Sequence, residues 1–212
     1  MKASIKVKVI DDPTPPPPFV GTQLDISITP EAAAYGFFGG TLADGSSEVT
    51  VDWGDGTVES FAEFSRVEHA YAAPGDYRVR ISDDLAAFGQ SSTRDTAFRA
   101  YAERTRRVSS NAVRLNGLDA GAFRSAVNLT AADFSQSSLA SIGTSAFSTC
   151  PALGPVLSFP NVSALGTSTF NACPGVLEIH FSKAHEAEIR ATEAFKAVPP
   201  LGAPNAVILF DP

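Results

Sequence analysis

Few residues in this 212-residue chain are of types that do chemistry, and their spacing limits what they can do. Its histidines are His69, His180 and His185. The run HEAEIR (185–190) opens like a zinc-protease helix, in which two His one turn apart hold the metal and a Glu activates water. The second His is missing, so that chemistry is not available. His180 and His185 with Cys173 match no zinc-ligand spacing. Cys150 and Cys173 are too few for a disulfide scaffold or a Cys-rich zinc site. There is no G-x-S-x-G elbow, no phosphate loop and no G-x-G-x-x-G after a strand. No Ser is placed with a His and an acid in a recognisable nucleophile pattern. These residues predict a non-enzymatic protein with no metal and no cofactor.

Two charged groups have a double reading. Asp52 and Asp55 could ligate a metal or accept hydrogen bonds from local backbone N–H groups, and the turn-like surroundings favour the second. Arg94, Arg99, Arg104, Arg106, Arg107 and Arg114 face only Asp95 and Glu103 in sequence. They could form an anionic-ligand site or dock against acidic residues elsewhere in the chain. Residues 19–90 carry a net charge of −9, whereas residues 91–212 carry +1, so docking within the chain is expected.

The elements that would position these groups follow from composition and pattern. With 44% hydrophobic and 18% charged residues the chain has material for a core. Net charge −7 argues against nucleic acid as a partner. No apolar run reaches the length of a membrane-spanning helix, so membrane insertion is not expected. The start, MKASIKVKVIDD, lacks the apolar region of a secretory signal, which leaves cytoplasmic birth, another export route or prior trimming open. Residues 2–10 alternate as a strand does, and a Pro-rich spacer follows through Pro18.

LDISITP (24–30), EVTVDW (48–53) and DYRVRIS (76–82) alternate as strands, with turn signals at Asp55-Gly56 and Pro74-Gly75. VDWGDG (51–56) followed by EHAYAAPGDYRVRI (68–81) resembles a PKD domain, carried by Trp53, Gly54, Asp55, Gly56, His69, Tyr71, Pro74, Gly75 and Tyr77. That resemblance implies an immunoglobulin-like sandwich used as a spacer or adhesive module.

The second half repeats. LDAGAFRSAVNL (118–129), IGTSAFSTCPAL (142–153), LGTSTFNACPGV (165–176) and IRATEAFKAVPPL (189–201) align on Phe123, Phe147, Phe170 and Phe195. TRDTAFRAY (93–101), around Phe98, reads as an earlier unit. A further Phe follows in the first three aligned units (Phe134, Phe159 and Phe181), with Phe210 as its displaced counterpart in the last. Units of this length must stack to bury their apolar faces. The A-F segments are expected to form a helical turn on one side and the later Phe segments short parallel strands on the other. Cys150 and Cys173 occupy equivalent positions, so they are expected to be buried free thiols rather than a bridge. The pattern I-G-x-x-A-F-x-x-C-x-x-L resembles the BspA-like leucine-rich repeats of bacterial surface proteins, some protist proteins and phage-borne proteins.

The expected fold is therefore two domains, an all-β immunoglobulin-like sandwich followed by an α/β leucine-rich-repeat solenoid. Its expected parts are an N-terminal strand and Pro-rich linker (1–18), the PKD-like sandwich (19–88) and the solenoid (89–212). If Ala132, Phe134, Leu157, Phe159, Ile179 and Phe181 point inward, then Asp133, Ser158, Glu178 and His180 point outward. By the same register Val207 and Leu209 face out. Those six form the candidate partner-binding face. The resemblances imply a bacterial cell-surface or extracellular protein that adheres to or recognises a host or bacterial surface protein or glycan. The alternative is a structural or accessory component of a phage tail or other extracellular assembly.

Overall fold

The computed structural model describes residues 18–37, 39–63, 67–89 and 101–212. The expected strand at 2–10, most of the Pro-rich stretch and the unit around Phe98 lie outside the described residues. β1 (Gly21–Ile28) begins the fold, and its alternation is resolved by burial: Thr22, Leu24, Ile26 and Ile28 point inward, Gln23, Asp25 and Ser27 away. β2 (Ala34–Phe37), β3 (Gly40–Leu42), β4 (Val49–Asp52), β5 (Val58–Phe61) and β6 (Val67–Ala70) follow. β7 (Gly75–Ser82) and β8 (Leu85–Phe88) complete the first half. β1 pairs antiparallel with β7, β7 with β4, and β4 with β5.

The second half adds β9 (Thr105–Ser110), β10 (Gly117–Leu118), β11 (Ala131–Asp133) and β12 (Ser141–Ile142). It ends with β13 (Val156–Phe159), β14 (Ala164–Leu165), β15 (Glu178–Ser182) and β16 (Val207–Asp211). β9, β10, β11, β12 and β14 extend the sheets of the first half. One sheet runs β11-β9-β1-β7-β4-β5, with β9 antiparallel to β1 and parallel to β11. A second runs β14-β12-β10-β8-β3, antiparallel only between β8 and β3. β13, β15 and β16 form a parallel three-stranded sheet, and β2 pairs with β6.

The expected α/β leucine-rich-repeat solenoid behind a separate immunoglobulin-like sandwich does not form. The protein is mostly β-strand in several sheets, and one hydrophobic cluster runs from Leu24 to Ala203. Among the described residues, α-helix is confined to Tyr101–Ala102, Glu186–Ala191 and Glu193–Lys196. The reason lies in the repeat turns. Ser125, Ser145, Thr149, Ser168 and Ala172 all have left-handed backbones, with φ between 56° and 64°. A left-handed residue every few positions cannot continue an α-helix. Turn N–H groups instead cross to the next unit: Phe123 N donates to the Ala146 carbonyl at 2.6 Å and Phe147 N to the Thr169 carbonyl at 2.9 Å. The coils are joined on this side by a backbone ladder of turns.

The repeated Phe residues fill the space between the layers. Phe88, Phe123, Phe147 and Phe170 form one run of ring contacts, and Phe134, Phe159, Phe181 and Phe210 a second. Phe195 departs from the expected equivalence. It sits half-buried on the last short helix against Phe210, while Phe170 N bonds to the Leu201 carbonyl instead. The Arg190 guanidinium lies over both Phe195 and Phe210, 5.0 and 4.8 Å from their centroids, and covers this end of the stack.

Buried polar contacts also join the halves. Tyr35 Oη and Thr105 Oγ1 lie 2.7 Å apart, and burial pushes the Tyr35 phenol far above its ordinary range. Asn111 bonds Gly21 N and the Phe19 carbonyl, both at 2.9 Å.

Candidate functional site

The motif residues of the first half are absorbed by structure. Trp53 is fully buried; its ring stacks on His69 with centroids 5.0 Å apart, and its indole N–H donates to Glu59 at 2.6 Å. His69 Nε2 meets Asp55 Oδ2 at 2.7 Å, and Tyr71 Oη donates to the Trp53 carbonyl at 2.9 Å. Asp52 accepts from Gly54 N and Asp55 from Thr57 N, both at 2.9 Å, so both carboxylates serve the turn. Burial opposes the Asp55 charge, but the bonds from His69 and Thr57 outweigh it and hold the carboxyl below its ordinary range. Among the described residues no group of three or more His, Cys, Asp or Glu side chains is placed to hold a metal ion.

Cys150 and Cys173 are free and buried. Each thiol donates to a carbonyl of the preceding coil, Cys150 to Phe123 at 3.1 Å and Cys173 to Phe147 at 2.9 Å. The neighbouring Cys173 thiol and burial push Cys150 above the ordinary thiol range. The HEAEIR segment is a surface helix stapled by ion pairs of Glu186 with Lys183 and with Arg190, the latter at 2.7 Å.

The six candidate face residues have their outward side on the strands. Leu157, Phe159, Ile179 and Phe181 are buried, which turns Ser158, Glu178 and His180 away from the core. Parallel register sets Ser158 beside His180, Glu178 beside Val207, and His180 beside Leu209. Val207 is 57% exposed and Leu209 36%. Asp133 is also exposed but stands apart from these five. Its strand belongs to the β9 sheet, and its carboxylate accepts from Ser135 N and Oγ at 3.0 and 2.7 Å.

Two members of this face were not foreseen from sequence. Asp211 continues the outward alternation of Val207 and Leu209, and its Oδ2 lies 2.9 Å from His180 Nδ1. His180 Nε2 lies 3.2 Å from Glu178 Oε2. The imidazole is thus held between two carboxylates, Asp211 first and Glu178 second, which raise its affinity for the proton above that of an ordinary His. Val156, 52% exposed, extends the apolar strip beside Glu178. The patch presents a charged His–carboxylate group next to exposed Val and Leu side chains on parallel strands.

No protein-family model, no curated protein and no solved structure matches the chain. Function therefore has to be argued from this surface. No helix among the described residues is long and apolar enough to cross a membrane.

Proposed function

We propose that the protein is a non-enzymatic recognition module of a bacterial cell surface or extracellular assembly, whose partner is a host or bacterial surface protein or a glycan. The observation that carries this reading is the open face of β13, β15 and β16. Its outward side chains are fixed by the ladder register, and Glu178, His180, Asp211, Val207 and Leu209 lie together on it. The motif likeness to surface-protein repeats and PKD domains supports the same reading. Binding to a glycan and surface-protein array by the intact chain tests it. Loss of a hit with Glu178→Ala and His180→Ala together supports the face, and unchanged hits refute it.

The second reading, a structural component of a phage tail or similar assembly, is favoured by β16. This strand is the last of its sheet, and no described strand pairs with its outer edge. Concentration-dependent assembly in light scattering, abolished by Leu209→Lys, would support it.

A further inference from the structure

The arginine cluster divides in the structure, and the division marks a second site. Arg104 donates to the Ala34 carbonyl, and Arg114 bonds Ser46, Asp84 and the Asp44 carbonyl, so both dock the second half onto the first. Arg94 and Arg99 lie outside the described residues. Arg106 and Arg107 do neither: both are exposed, and among the described residues no carboxylate lies within ion-pair distance of either.

Their placement comes from a bulge. On β1, Asp25 pairs with Arg107 and Ile26 with Thr105, so Arg106 is an extra residue in β9. Strict alternation would bury one of two adjacent Arg; the bulge leaves both in solvent. Along the same seam run three adjoining depressions, of about 320, 550 and 230 Å³. The first and second share Asp25 and Arg78, and the second and third share Ser27 and Arg106. Together they form a continuous groove across the outer face of the large sheet, next to Asp133.

The lining restricts the occupant. Arg78 is already neutralised by Asp25 through bonds of 2.7 and 3.3 Å, which leaves a fixed donor–acceptor pair in the groove. Gln23, Ser109 and Asn128 add amide and hydroxyl groups. Asp76, Glu103 and Asp133 also line the groove, beyond ion-pair distance of Arg106 and Arg107. Hydroxyl groups that both donate and accept match such a lining. A carboxylate matches the two free guanidinium groups. β1 and β9 are each paired on both sides, so an extended peptide cannot bind here by adding a strand.

We propose that this β1–β9 groove binds a linear, carboxylate-bearing oligosaccharide, with its uronate groups on Arg106 and Arg107 and its hydroxyls on the Asp25–Arg78 pair and neighbouring polar side chains. The proposal rests on the recognition reading above and names a ligand class for the surface next to the ladder face.

The test uses the full chain with four probes: an oligogalacturonate hexamer, a hyaluronan hexasaccharide, its carboxyl-reduced form, and hexaglutamate. Amide shifts on β1 and β9 are expected with an acidic sugar. Carboxyl reduction and the Arg106→Gln/Arg107→Gln double variant should each weaken binding at least about tenfold. Both arginines are exposed, so the double variant should keep the wild-type unfolding midpoint. No shift at millimolar sugar, an unaffected double variant, or hexaglutamate binding as tightly as the sugar each overturns the proposal. Array hits that are lost with Glu178→Ala and His180→Ala but kept by the Arg double variant would discard the groove and leave the recognition reading standing. An array with no hits would count against the recognition reading itself.

Discussion

Phe147 and Phe170 stack with their ring planes 6° apart and their centroids 5.4 Å apart, although 23 residues of chain separate them. Phe123 lies on the other side of Phe147 at 5.3 Å and 10°. Each ring is the same atom set placed by the same turn in successive coils, so the stack follows from the repeat. Phe147 also meets Phe134 and Phe159, which belong to the second run of rings. It is therefore a point at which the two runs join, and Phe170 makes a further link through Phe159 at 5.9 Å.

Removing that junction has a large expected cost. Phe147 is fully buried, so Phe147→Ala should lower unfolding free energy by about 3–5 kcal/mol, from lost transfer energy and the cavity left behind. Phe195→Ala should cost less than half of this, since Phe195 is only half-buried and meets the rings only at their end, through Phe210. Urea denaturation of the two variants reads the difference directly; equal losses would mean that the stack is not what makes Phe147 costly.

Backbone contact between coils makes a second demand. A Cβ on Gly166 would stand 2.2 Å from Thr144 N and 2.5 Å from the Gly143 carbonyl carbon, both immobile backbone atoms. Gly166→Ala should therefore destabilise by about 3 kcal/mol or more, because the coils must separate to admit one methyl group. Gly75→Ala is the control: its nearest neighbour is the Tyr77 ring at 3.5 Å, and the change should stay within about 0.5 kcal/mol.

The period-two strands were legible in the sequence. Leu24, Ile26, Val79 and Ile81 alternate with polar residues, and each has its partner side in the core. The evenly spaced Phe123, Phe147 and Phe170 meet ring to ring. The helical turn was misread because Ser145, Thr149, Ser168 and Ala172 carry no sequence sign of their left-handed backbones; Ser145 N and Thr149 N bond to carbonyls of the next coil. The shared sheets were hidden for a different reason. β9 reads TRRVSS, and its pairing with β1 joins residues 79 to 88 positions apart, which no local pattern encodes. The outward register of Glu178 and His180 was readable from alternation, and Asp211 lay one step further along the same alternation. The bulge that exposes both Arg106 and Arg107 had no sequence signal, since it depends on register with β1.

Thiol chemistry gives a third prediction. Cys150 and Cys173 are buried, and each donates to a carbonyl of the coil before it. Ellman's reagent should find no reactive thiol in the native protein and two after denaturation. Rapid labelling of the native protein would show that the coils open locally. A Cys150–Cys173 bridge in non-reduced mass spectra would contradict the free-thiol geometry.

The last prediction concerns pH. His180 Nδ1 faces Asp211 and Nε2 faces Glu178, and both carboxylates favour the imidazolium. The folded-state pKa is therefore raised above the unfolded value of about 6.5. Its stabilisation is fully present below the unfolded pKa and is lost as pH rises through the folded one. Because the group is at the surface, the effect on stability is small and screened by salt. The His180 ring resonances should titrate above the ordinary midpoint, and Asp211→Asn should move them back further than Glu178→Gln, since Asp211 is the stronger cause. The stability gap between wild type and Asp211→Asn should shrink as pH rises through the folded midpoint. A His180 midpoint at or below the ordinary value would mean that neither carboxylate holds the ring in solution.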